Sequence, residues 1–360
     1  MSALTSIQLA SLTTSRVGGP ARRYLLAETP DELIGMVRAA DEASEPLLLV
    51  GGGSNLLISD TGFDGAVVHV GNRGVTIRNG KGGTAVVEAQ AGHPWDDLVA
   101  HTVAEGYSGL EALSGIPGLA GATPVQNVGA YGADVSHSIV SVQTWDRETR
   151  QLRRFGAAEL EFGYRDSLLK RTTVNGSPRY VVLSVEFSLT QGTASAPIRY
   201  AELARALGVE VGDSADATDV RREVLRLRAG KGMVLNPADP DTHSTGSFFT
   251  NPILPAPDAD RLPAEAPRYP VAEPGMVKLS AAWLIEHAGF GKGFGLPGNP
   301  GSGIAGGRAS LSAKHTLAVT NRGDASAQDL LAIARAVADG VEQTFGIRLQ
   351  PEPLLINCSL

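Results

Sequence analysis

The sequence predicts an α+β fold, and two features of its patterning point to that class. Short apolar runs bounded by glycine or asparagine turns, such as the turn at Asn79-Gly80, are typical of strands, and segments with helical periodicity lie among them. The two kinds of segment do not alternate regularly, as they would in a doubly wound parallel sheet. The chain has 360 residues, which is enough for two or three domains with cores of their own.

Each element follows from its local hydrophobic pattern and, for the first helix, from a capping signal. Thr29 fits the N-cap position and Pro30 the first helical position. We predict strands at residues 46–50, 66–70, 74–78, 85–91, 141–146, 151–155 and 179–189. We predict helices at residues 29–43, 95–105, 200–207, 217–231, 279–288 and 327–344.

Composition and charge argue against several classes of protein. The formal net charge is −7 and the pI is about 5.6, which disfavours nonspecific binding to nucleic acid. Cys358 is the single cysteine, so we expect neither an intramolecular disulfide nor a cysteine-based metal site, and we predict no metal. The N-terminal residues lack a basic start and an apolar core, and no apolar run reaches about 18 residues. We therefore expect a cytoplasmic protein that is neither secreted nor inserted into a membrane.

Glycine is over-represented and clustered. The 43 glycines among 360 residues make up about 12%, against roughly 7% in an average protein. They concentrate at residues 51–53, 115–121, 129–132 and 289–307 without a repeat period, which argues against collagen-like and solenoid folds. Such clusters indicate places where the backbone approaches something large and rigid.

The first cluster lies in the stretch LLVGGGSNLLISD at residues 48–60. A strand runs into three glycines, and neither a helix nor a lysine follows, so the stretch is not a Rossmann or P-loop motif. Successive backbone N–H groups in such a turn can bind an anion without a cationic side chain, and Ser54 and Asn55 could add donors. A tight turn between two strands is the alternative interpretation.

The second cluster lies in GLEALSGIPGLAGATPVQNVGAYG, residues 109–132, which combines six glycines and two prolines with hydroxyl and amide side chains. The segment is too polar for a core strand and too apolar for disorder. It suggests a backbone cradle for a flat ligand that is rich in hydrogen-bonding groups. A long structural loop is the alternative, although long ordered loops are usually functional.

Three further stretches place single polar residues in restrained surroundings. They are FGYRDSL, around Arg165; TGSFFTNP, around Ser247; and LQPEPLLIN, in which two prolines flank Glu352 at the entry to a final strand. Prolines fix the local backbone and so aim the carboxylate between them. Taken singly, these stretches also fit a turn with a salt bridge, a Ser–Gly turn and an exposed glutamate.

Together and in this order, the stretches resemble the UDP-N-acetylenolpyruvoylglucosamine reductases, flavoenzymes of peptidoglycan precursor synthesis. The resemblance runs from about Thr13 to Asn357. The matching sequences are LLVGGGSNLLISD (48–60), IPGLAGATPVQNVGAYG (116–132), FGYRDSLLK (162–170), GSFFTNP (246–252), KLSAAWLIEHAG (278–289) and LQPEPLLIN (349–357).

The resemblance implies an FAD-binding fold of the vanillyl-alcohol oxidase type, with two α+β subdomains and a third α+β domain for the substrate. We expect the first subdomain at residues 1–60 with 353–360, the second at 61–232 and the substrate-binding domain at 233–352. The stretch Pro252–Pro274 contains seven prolines. We interpret it as a surface insertion within the last domain rather than as a disordered linker.

The resemblance also implies non-covalently bound FAD, whose diphosphate is held by backbone amides instead of a lysine. The residues that it assigns to the flavin are Gly51, Gly52, Gly53, Ser54, Asn55, Ser114, Gly115, Pro117, Gly118, Gly121, Thr123, Gln126, Asn127, Gly129, Tyr131 and Gly132.

The implied reaction is the reduction of an enolpyruvyl ether to a lactyl ether, with NADPH as the hydride donor that first reduces the flavin. Hydride from the reduced flavin N5 adds to the terminal alkene carbon, and charge develops in the substrate carboxylate. Three residues match the family's catalytic positions. Arg165 would face that carboxylate, Glu352 would donate a hydrogen bond to it when protonated, and Ser247 would give a proton to the ether carbon.

Tyr164, Tyr200, Lys231 and Asn251 match positions that contact the substrate, UDP-N-acetylglucosamine enolpyruvate. Tyr200 resembles the tyrosine that clamps the uridine diphosphate in one subclass. A surface tyrosine and a lysine at a helix C-terminus are the alternative interpretations for Tyr200 and Lys231. We expect small-molecule ligands only, without nucleic acid, and a monomeric protein.

Two positions depart from the family pattern, since Thr250 and Leu354 stand where many or some members have basic residues. Both affect only details of substrate anchoring. The competing interpretations are an FAD-dependent sugar or alcohol oxidase and a noncatalytic flavin-binding or nucleotide-sugar-sensing protein. An oxidase has no use for Ser247 facing an alkene, and a noncatalytic protein would lose Arg165, Ser247 or Glu352.

Overall fold

The computed structural model describes residues 7–360 and divides into two compact units. Unit 1 contains Ala21–Gly53 and Phe63–Val234, and unit 2 contains Gln8–Pro20, Ser54–Gly62 and Leu235–Leu360. Strands and helices mix in both units, which confirms the predicted α+β class.

The two compact units differ in number and in most boundaries from the three predicted domains. The change from unit 1 to unit 2 after Val234 lies near the predicted boundary at 232/233. Residues 54–60 and 353–360, predicted to belong to the first subdomain, both group with unit 2. The division into three domains stays a prediction.

The elements are named in chain order. The strands are β1 (Ala21–Ala27), β2 (Leu47–Val50), β3 (Leu56–Ile58), β4 (Phe63–Val70), β5 (Val75–Asn79), β6 (Thr84–Gln90), β7 (Tyr107–Ser108), β8 (Gly129–Ala130), β9 (Ala133–Asp134), β10 (Ile139–Asp146), β11 (Gln151–Gly156), β12 (Thr173–Val174), β13 (Ser177–Pro178), β14 (Tyr180–Gln191), β15 (Ile253–Pro255), β16 (Arg268–Pro270), β17 (Met276–Leu279), β18 (Ala309–Leu311), β19 (Val319–Asn321) and β20 (Leu354–Ile356). The α-helices are α1 (Pro30–Glu42), α2 (Trp95–Ala104), α3 (Leu168–Arg171), α4 (Ala201–Leu207), α5 (Ala217–Gly230), α6 (Ala256–Ala259), α7 (Ala281–His287) and α8 (Ala327–Phe345). Short 3-10 helices span Leu9–Leu12, Glu111–Leu113, Ala120–Ala122, Val135–His137, Ala157–Leu160 and Pro240–Thr242.

A three-stranded sheet of unit 1 is parallel, in the order β1-β4-β2, and α1 packs on it. Leu33 and Val37 of the helix are buried with Leu47 and Val68 of the sheet. Because the carboxyl ends of parallel strands meet at one edge, the glycine turn that follows Val50 begins at that edge.

The larger sheet of unit 1 is antiparallel, in the order β11-β10-β14-β6-β5, with β7 added to β14. Helix α2 packs on it through Trp95 and Leu98, which share a core with Val87 and Phe187. This core also includes Leu113 and thereby supports the second glycine-rich segment.

Unit 2 is built around α8. The Ser326 hydroxyl accepts a hydrogen bond from the Asp329 N–H, and the Asp329 carboxylate accepts one from the Ser326 N–H, which is a capping box. The helix ends at Gly346 in a left-handed conformation with φ 69°. Its apolar face is buried in the unit 2 core, which includes Leu330, Ala334, Val337 and Val341 of α8 together with Phe248 and Phe249.

The proline-rich stretch is an ordered part of unit 2. It contributes β15, α6 and β16, and the two strands flank β17 in a three-stranded antiparallel sheet. The Arg268 guanidinium donates to several backbone carbonyls, including those of Ala259 and Ala266 at 2.9 Å. These bonds fix the irregular turns between the prolines, so the interpretation as an insertion rather than a disordered linker is confirmed.

All the predicted strands and helices occur within a few residues of their predicted bounds, and Thr29 caps α1 as expected by accepting the Glu32 N–H at 3.2 Å. Strand β1 was not predicted, since Arg22 and Arg23 interrupt its apolar pattern and its partner β4 is distant in sequence. Within residues 7–360, we find no helix that combines the length and the apolar character needed to cross a bilayer.

Candidate active site

The glycine turn lies against the second glycine-rich segment, and both are in unit 1. A Cβ atom at Gly52 would lie 2.8 Å from the Gly118 Cα atom, which is closer than real Cβ atoms approach. Gly53 has φ +60°, a conformation that glycine adopts at little cost. The Gly118 carbonyl oxygen accepts the Trp95 N–H at 3.0 Å and so fixes the contact from the side of α2. The two stretches predicted to hold one ligand are therefore neighbours.

The chain passes from unit 1 to unit 2 between Gly53 and Ser54. In unit 2, the Asn55 carbonyl oxygen accepts the Leu354 N–H at 2.9 Å, and β3 pairs in parallel with β20. Asn55 is thus held beside the segment that carries Glu352.

Asn127 organises the middle of the second glycine-rich segment. It adopts a left-handed conformation with φ 43°, as does Tyr131 with φ 50°. The Asn127 amide donates to the Gly163 carbonyl at 2.9 Å, and its Oδ1 atom accepts the Ser136 N–H at 3.2 Å. Asparagine tolerates this backbone conformation better than most residues, whereas a tyrosine in it carries local strain of the kind found at functional sites.

Arg165 is directed onto the same segment. It lies with Tyr164 at the tip of a tight turn closed by hydrogen bonds between Gly163 and Asp166, and its φ is 54°. Its guanidinium donates to the Gly129 carbonyl at 2.7 Å and to the Asn127 carbonyl at 3.3 Å. The guanidinium carbon also lies 5.5 Å from the centre of the Tyr164 ring. Residues 114–132, named here the cofactor segment because the predicted flavin contacts lie on it, therefore orient the predicted catalytic arginine.

The other residues assigned to the flavin follow along the same segment. The Ser114 hydroxyl donates to the Glu111 carbonyl at 2.7 Å, and the Thr123 hydroxyl donates to the Ala120 carbonyl at 2.8 Å. The Gly115 N–H donates to the Asp96 carboxylate at 2.6 Å. The remaining predicted positions on this segment are Pro117, Gly121, Gln126 and Gly132.

Arg228 is a candidate site residue that the sequence analysis missed. Its Nε atom is buried and has no acceptor within hydrogen-bonding distance in residues 7–360, and it lies 3.5 Å from the position of a Cβ atom built at Gly115. Burial lowers the pKa of the guanidinium to about 10, so it is still a cation at neutral pH. A buried donor without a partner is costly. The position therefore suits an acceptor or anionic group of a ligand beside Gly115. Its i, i+3 spacing to Lys231, the residue that directly follows α5, was the available signal.

Tyr131, Tyr200 and Lys231 form a cluster in unit 1. The two tyrosine rings meet edge to face with centroids 5.5 Å apart, and the Lys231 ammonium lies 5.7 Å from the centre of the Tyr131 ring. Lys231 also forms an ion pair with Glu202 on α4. Burial raises the pKa of Tyr131 to about 12, which keeps its hydroxyl neutral. Two predicted substrate residues and one predicted cofactor residue are thus in contact.

Ser247 and Glu352 are brought together in unit 2. The residue after Ser247 is the buried Phe248, whose carbonyl oxygen accepts the Glu352 N–H at 2.8 Å. The next residue, Phe249, pairs with Pro351. Both phenylalanines are anchored in the unit 2 core, while the side chains of Ser247 and Glu352 stay partly exposed.

Asn251 has a structural contact of its own. Its Oδ1 atom accepts the Ala281 N–H at 2.9 Å, at the first residue of α7. The segment that carries Ser247 is therefore fixed to α7 as well as to the segment that carries Glu352. The predicted contact of Asn251 with substrate stays a prediction.

Comparison with known proteins shows similarity over the whole chain. Residues 238–356 match the family described as "UDP-N-acetylenolpyruvoylglucosamine reductase, C-terminal domain", and residues 21–153 match the family described as "FAD binding domain". The chain is 51% identical to UDP-N-acetylenolpyruvoylglucosamine reductase from Cutibacterium acnes, covering 98% of this chain and 90% of that protein. It is 53% identical to the protein of the same name from Nocardia farcinica, covering 99% and 90%. The crystal structure of the reductase from Thermus caldophilus aligns over 99% of both chains, with a TM-score of 0.65 and 25% identity.

Proposed function

Because the chain belongs to the UDP-N-acetylenolpyruvoylglucosamine reductases, we propose that it reduces UDP-N-acetylglucosamine enolpyruvate to UDP-N-acetylmuramate with NADPH. The chain is an FAD-containing oxidoreductase of peptidoglycan synthesis. NADPH and a UDP-sugar are both cytoplasmic metabolites, so the proposed reaction would take place in the cytoplasm.

The residues of unit 1 fit FAD. The backbone N–H groups of Gly51–Gly53 and of the 114–132 segment would hold the diphosphate. Gly52 and Gly118 lack side chains, which permits their close contact and leaves both backbones open to a ligand. The buried Nε atom of Arg228 would donate to an acceptor or anionic group of the cofactor. Bound FAD would pass hydride from NADPH to the terminal alkene carbon of the substrate.

Ser247 would supply the proton that completes the reduction. Addition of hydride to one alkene carbon leaves the other, which carries the ether oxygen, as a carbanion conjugated with the carboxylate. The Ser247 hydroxyl would protonate that carbon and recover its own proton from solvent. The anchored Phe248 and Phe249 hold its backbone in place, which limits the motion of the donor.

Arg165 and Glu352 would stabilise the charge that develops on the substrate carboxylate. A guanidinium matches the planar carboxylate with two parallel N–H groups, and the hydrogen bonds to Asn127 and Gly129 set the plane of the group in advance. Glu352 in its protonated form would donate a further hydrogen bond. Its backbone bond to Phe248 keeps it near the proton donor.

Tyr164, Tyr200, Lys231 and Asn251 would bind the sugar nucleotide. Lys231 carries the positive charge that a diphosphate requires, and its contact with the Tyr131 ring places it beside Tyr200. The cluster supports a role for Tyr200 in clamping the nucleotide, because its ring already packs on the segment that would hold the cofactor.

The observation that carries the proposal is the similarity to the curated reductases over nearly the whole chain, including the segments of Arg165, Ser247 and Glu352. We expect the purified protein to be yellow and to oxidise NADPH rapidly only when the enolpyruvyl sugar nucleotide is present. The product should gain the mass of one H₂. Equal NADPH oxidation without the sugar nucleotide, or an unchanged substrate mass, would contradict the proposal. A parallel series with NADH measures the preference for the nicotinamide.

A further inference from the structure

We infer that Glu111 is a positioning residue that fixes the backbone leading to Tyr200 onto the cofactor segment. The inference rests on the proposed function, because it assigns Glu111 to the binding of the sugar nucleotide. The residue is only 1% exposed, and no step of the proposed reaction uses it.

Both carboxylate oxygens of Glu111 accept backbone N–H groups. One oxygen accepts the Gly109 N–H at 2.6 Å, and the other accepts the Ala196 N–H at 2.8 Å. A buried carboxylate is tolerated only where hydrogen bonds replace its hydration. Glu111 therefore joins two segments that lie 85 residues apart in the sequence.

On one side, Glu111 begins the 3-10 helix Glu111–Leu113, directly before Ser114 and Gly115 of the cofactor segment. That helix is itself fixed, since Gly115 donates to Asp96 and Asp96 is paired with Arg221 of α5 at 2.6 Å. The carboxylate thus projects from a rigid part of unit 1.

On the other side, Ala196 lies four residues before Tyr200, which precedes α4 as its N-cap residue. The end of this short segment meets the cofactor segment again. A Cβ atom at Gly132 would lie 2.9 Å from the Arg199 Cβ atom, and the rings of Tyr131 and Tyr200 are in contact. The segment is also bonded to residues 213–215, since the Ser195 N–H donates to the Ala215 carbonyl at 2.7 Å and the Ile198 N–H to the Asp213 carbonyl at 2.8 Å. Glu111 adds the bond that ties Ala196 to the residues before Ser114, so removal of its carboxylate loosens that tie while these backbone bonds and the contact with Tyr131 remain.

Removal of the Glu111 carboxylate is expected to weaken binding of the sugar nucleotide and to leave the rate of the chemical step unchanged. Without the carboxylate, the N–H groups of Gly109 and Ala196 lose their acceptor, and the backbone before Tyr200 can shift to reach water. Tyr200 is 43% exposed, so its position depends on that backbone more than on surrounding packing. Arg165, Ser247 and Glu352 are held by other contacts.

The test is a double-mutant cycle on the holoenzyme with Glu111→Ala, Tyr200→Ala and the combined variant. We expect Glu111→Ala to raise KM for the enolpyruvyl sugar nucleotide about tenfold, with kcat within about twofold and FAD content unchanged. The combined variant should show a KM within about twofold of that of Tyr200→Ala, because Glu111 acts through Tyr200. As a matched control, Glu186→Gln alters another buried carboxylate of unit 1, on β14, and should leave KM unchanged.

Three results would overturn the inference: an unchanged KM in Glu111→Ala, effects that multiply independently in the combined variant, or loss of FAD as the main defect. If Glu111→Ala does not fold, Glu111→Gln keeps the shape and one acceptor oxygen, and its KM should rise in the same cycle. A failure of the proposed function is distinguishable, since the unaltered protein would then fail to oxidise NADPH in response to the sugar nucleotide.

Discussion

The backbone N–H of Glu352 donates a hydrogen bond to the carbonyl oxygen of Phe248 over 2.8 Å, and Phe248 directly follows Ser247. The two residues predicted to act as acid groups are therefore on paired backbone segments, although they are far apart in the sequence. Their relative position is set by main-chain bonds and by the buried phenylalanines, so a change to either side chain should leave the other in place.

Glu352→Gln and Glu352→Ala distinguish hydrogen-bond donation from charge. The amide keeps an N–H donor at nearly the same position, whereas alanine removes it. We expect Glu352→Gln to retain at least about tenfold more substrate-reducing activity than Glu352→Ala, since a hydrogen bond to a charged group contributes about 1.5–3 kcal/mol. Single-turnover oxidation of the reduced flavin by substrate provides the measurement. Equal losses of activity in both variants would show that the reaction requires the carboxyl group of Glu352 itself and not only a hydrogen-bond donor.

Gly52→Ala should lower the amount of FAD that purifies with the protein. The added Cβ atom would lie 2.8 Å from the Gly118 Cα atom, so the turn and the second segment must separate. Gly35→Ala in α1 is the matched control, because an added Cβ atom there has no neighbour within 4 Å. The flavin-to-protein absorbance ratio measures the effect. Equal FAD content in both variants would show that the contact between Gly52 and Gly118 is not part of the cofactor site.

Arg228→Met should weaken FAD binding about 10- to 100-fold, the effect expected from loss of one charge-assisted hydrogen bond. The Nε atom is buried and without a protein acceptor in the described part of the chain, and we propose that a group of the bound cofactor accepts its hydrogen bond. Arg226→Met on the same helix is the control, since Arg226 is largely exposed and bonded to Glu223 at 2.8 Å. Titration of each apoprotein with FAD measures the dissociation constant. Equal dissociation constants for Arg228→Met and Arg226→Met would contradict the assignment of Arg228 to the cofactor site.

Glu186 makes the stability of unit 1 depend on pH. Burial alone would raise the pKa of this carboxyl group, but hydrogen bonds from Ser141 and Arg78 and the charge of Arg154 outweigh burial and hold the pKa below its usual value of 4.5. A lowered folded-state pKa stabilises the protein above the unfolded-state pKa, and the contribution is lost as the pH falls through the folded-state value. We expect Glu186→Gln to reduce the free energy of unfolding by about 1–3 kcal/mol at pH 7.

The difference in the free energy of unfolding between the unaltered protein and Glu186→Gln should become smaller as the pH falls below about 4.5, because the carboxylate then becomes protonated. Urea unfolding of both proteins at several pH values measures it. A constant difference down to the acid transition would show that the charge of Glu186 makes no contribution to stability.

The sequence predicts much of this site because the strongest signals are local. The glycine turn and the 109–132 segment are recognisable because glycine permits backbone approach, and the structure places Gly52 against Gly118. The α-helices follow from apolar periodicity and caps, as at Thr29. These features depend on residues close together in the chain.

The missed features depend on tertiary burial. In the sequence, Arg228 is one of several arginines on a basic helix. Only the folded structure shows that its Nε atom is buried. Glu111 follows a leucine in an unremarkable run, and its role depends on Ala196, a partner 85 residues away. Strand β1 similarly depends on a parallel partner that no local pattern identifies.

The most direct test of the central claim is anaerobic stopped-flow spectroscopy of Ser247→Ala. We predict that NADPH reduces the flavin of the variant at the normal rate, since that step does not require Ser247. Reoxidation of the flavin by the enolpyruvyl sugar nucleotide should slow by about 10²–10⁴-fold, the range expected for loss of a positioned proton donor. Reoxidation at an undiminished rate would contradict the assignment of Ser247 as the proton donor and, with it, the proposed mechanism.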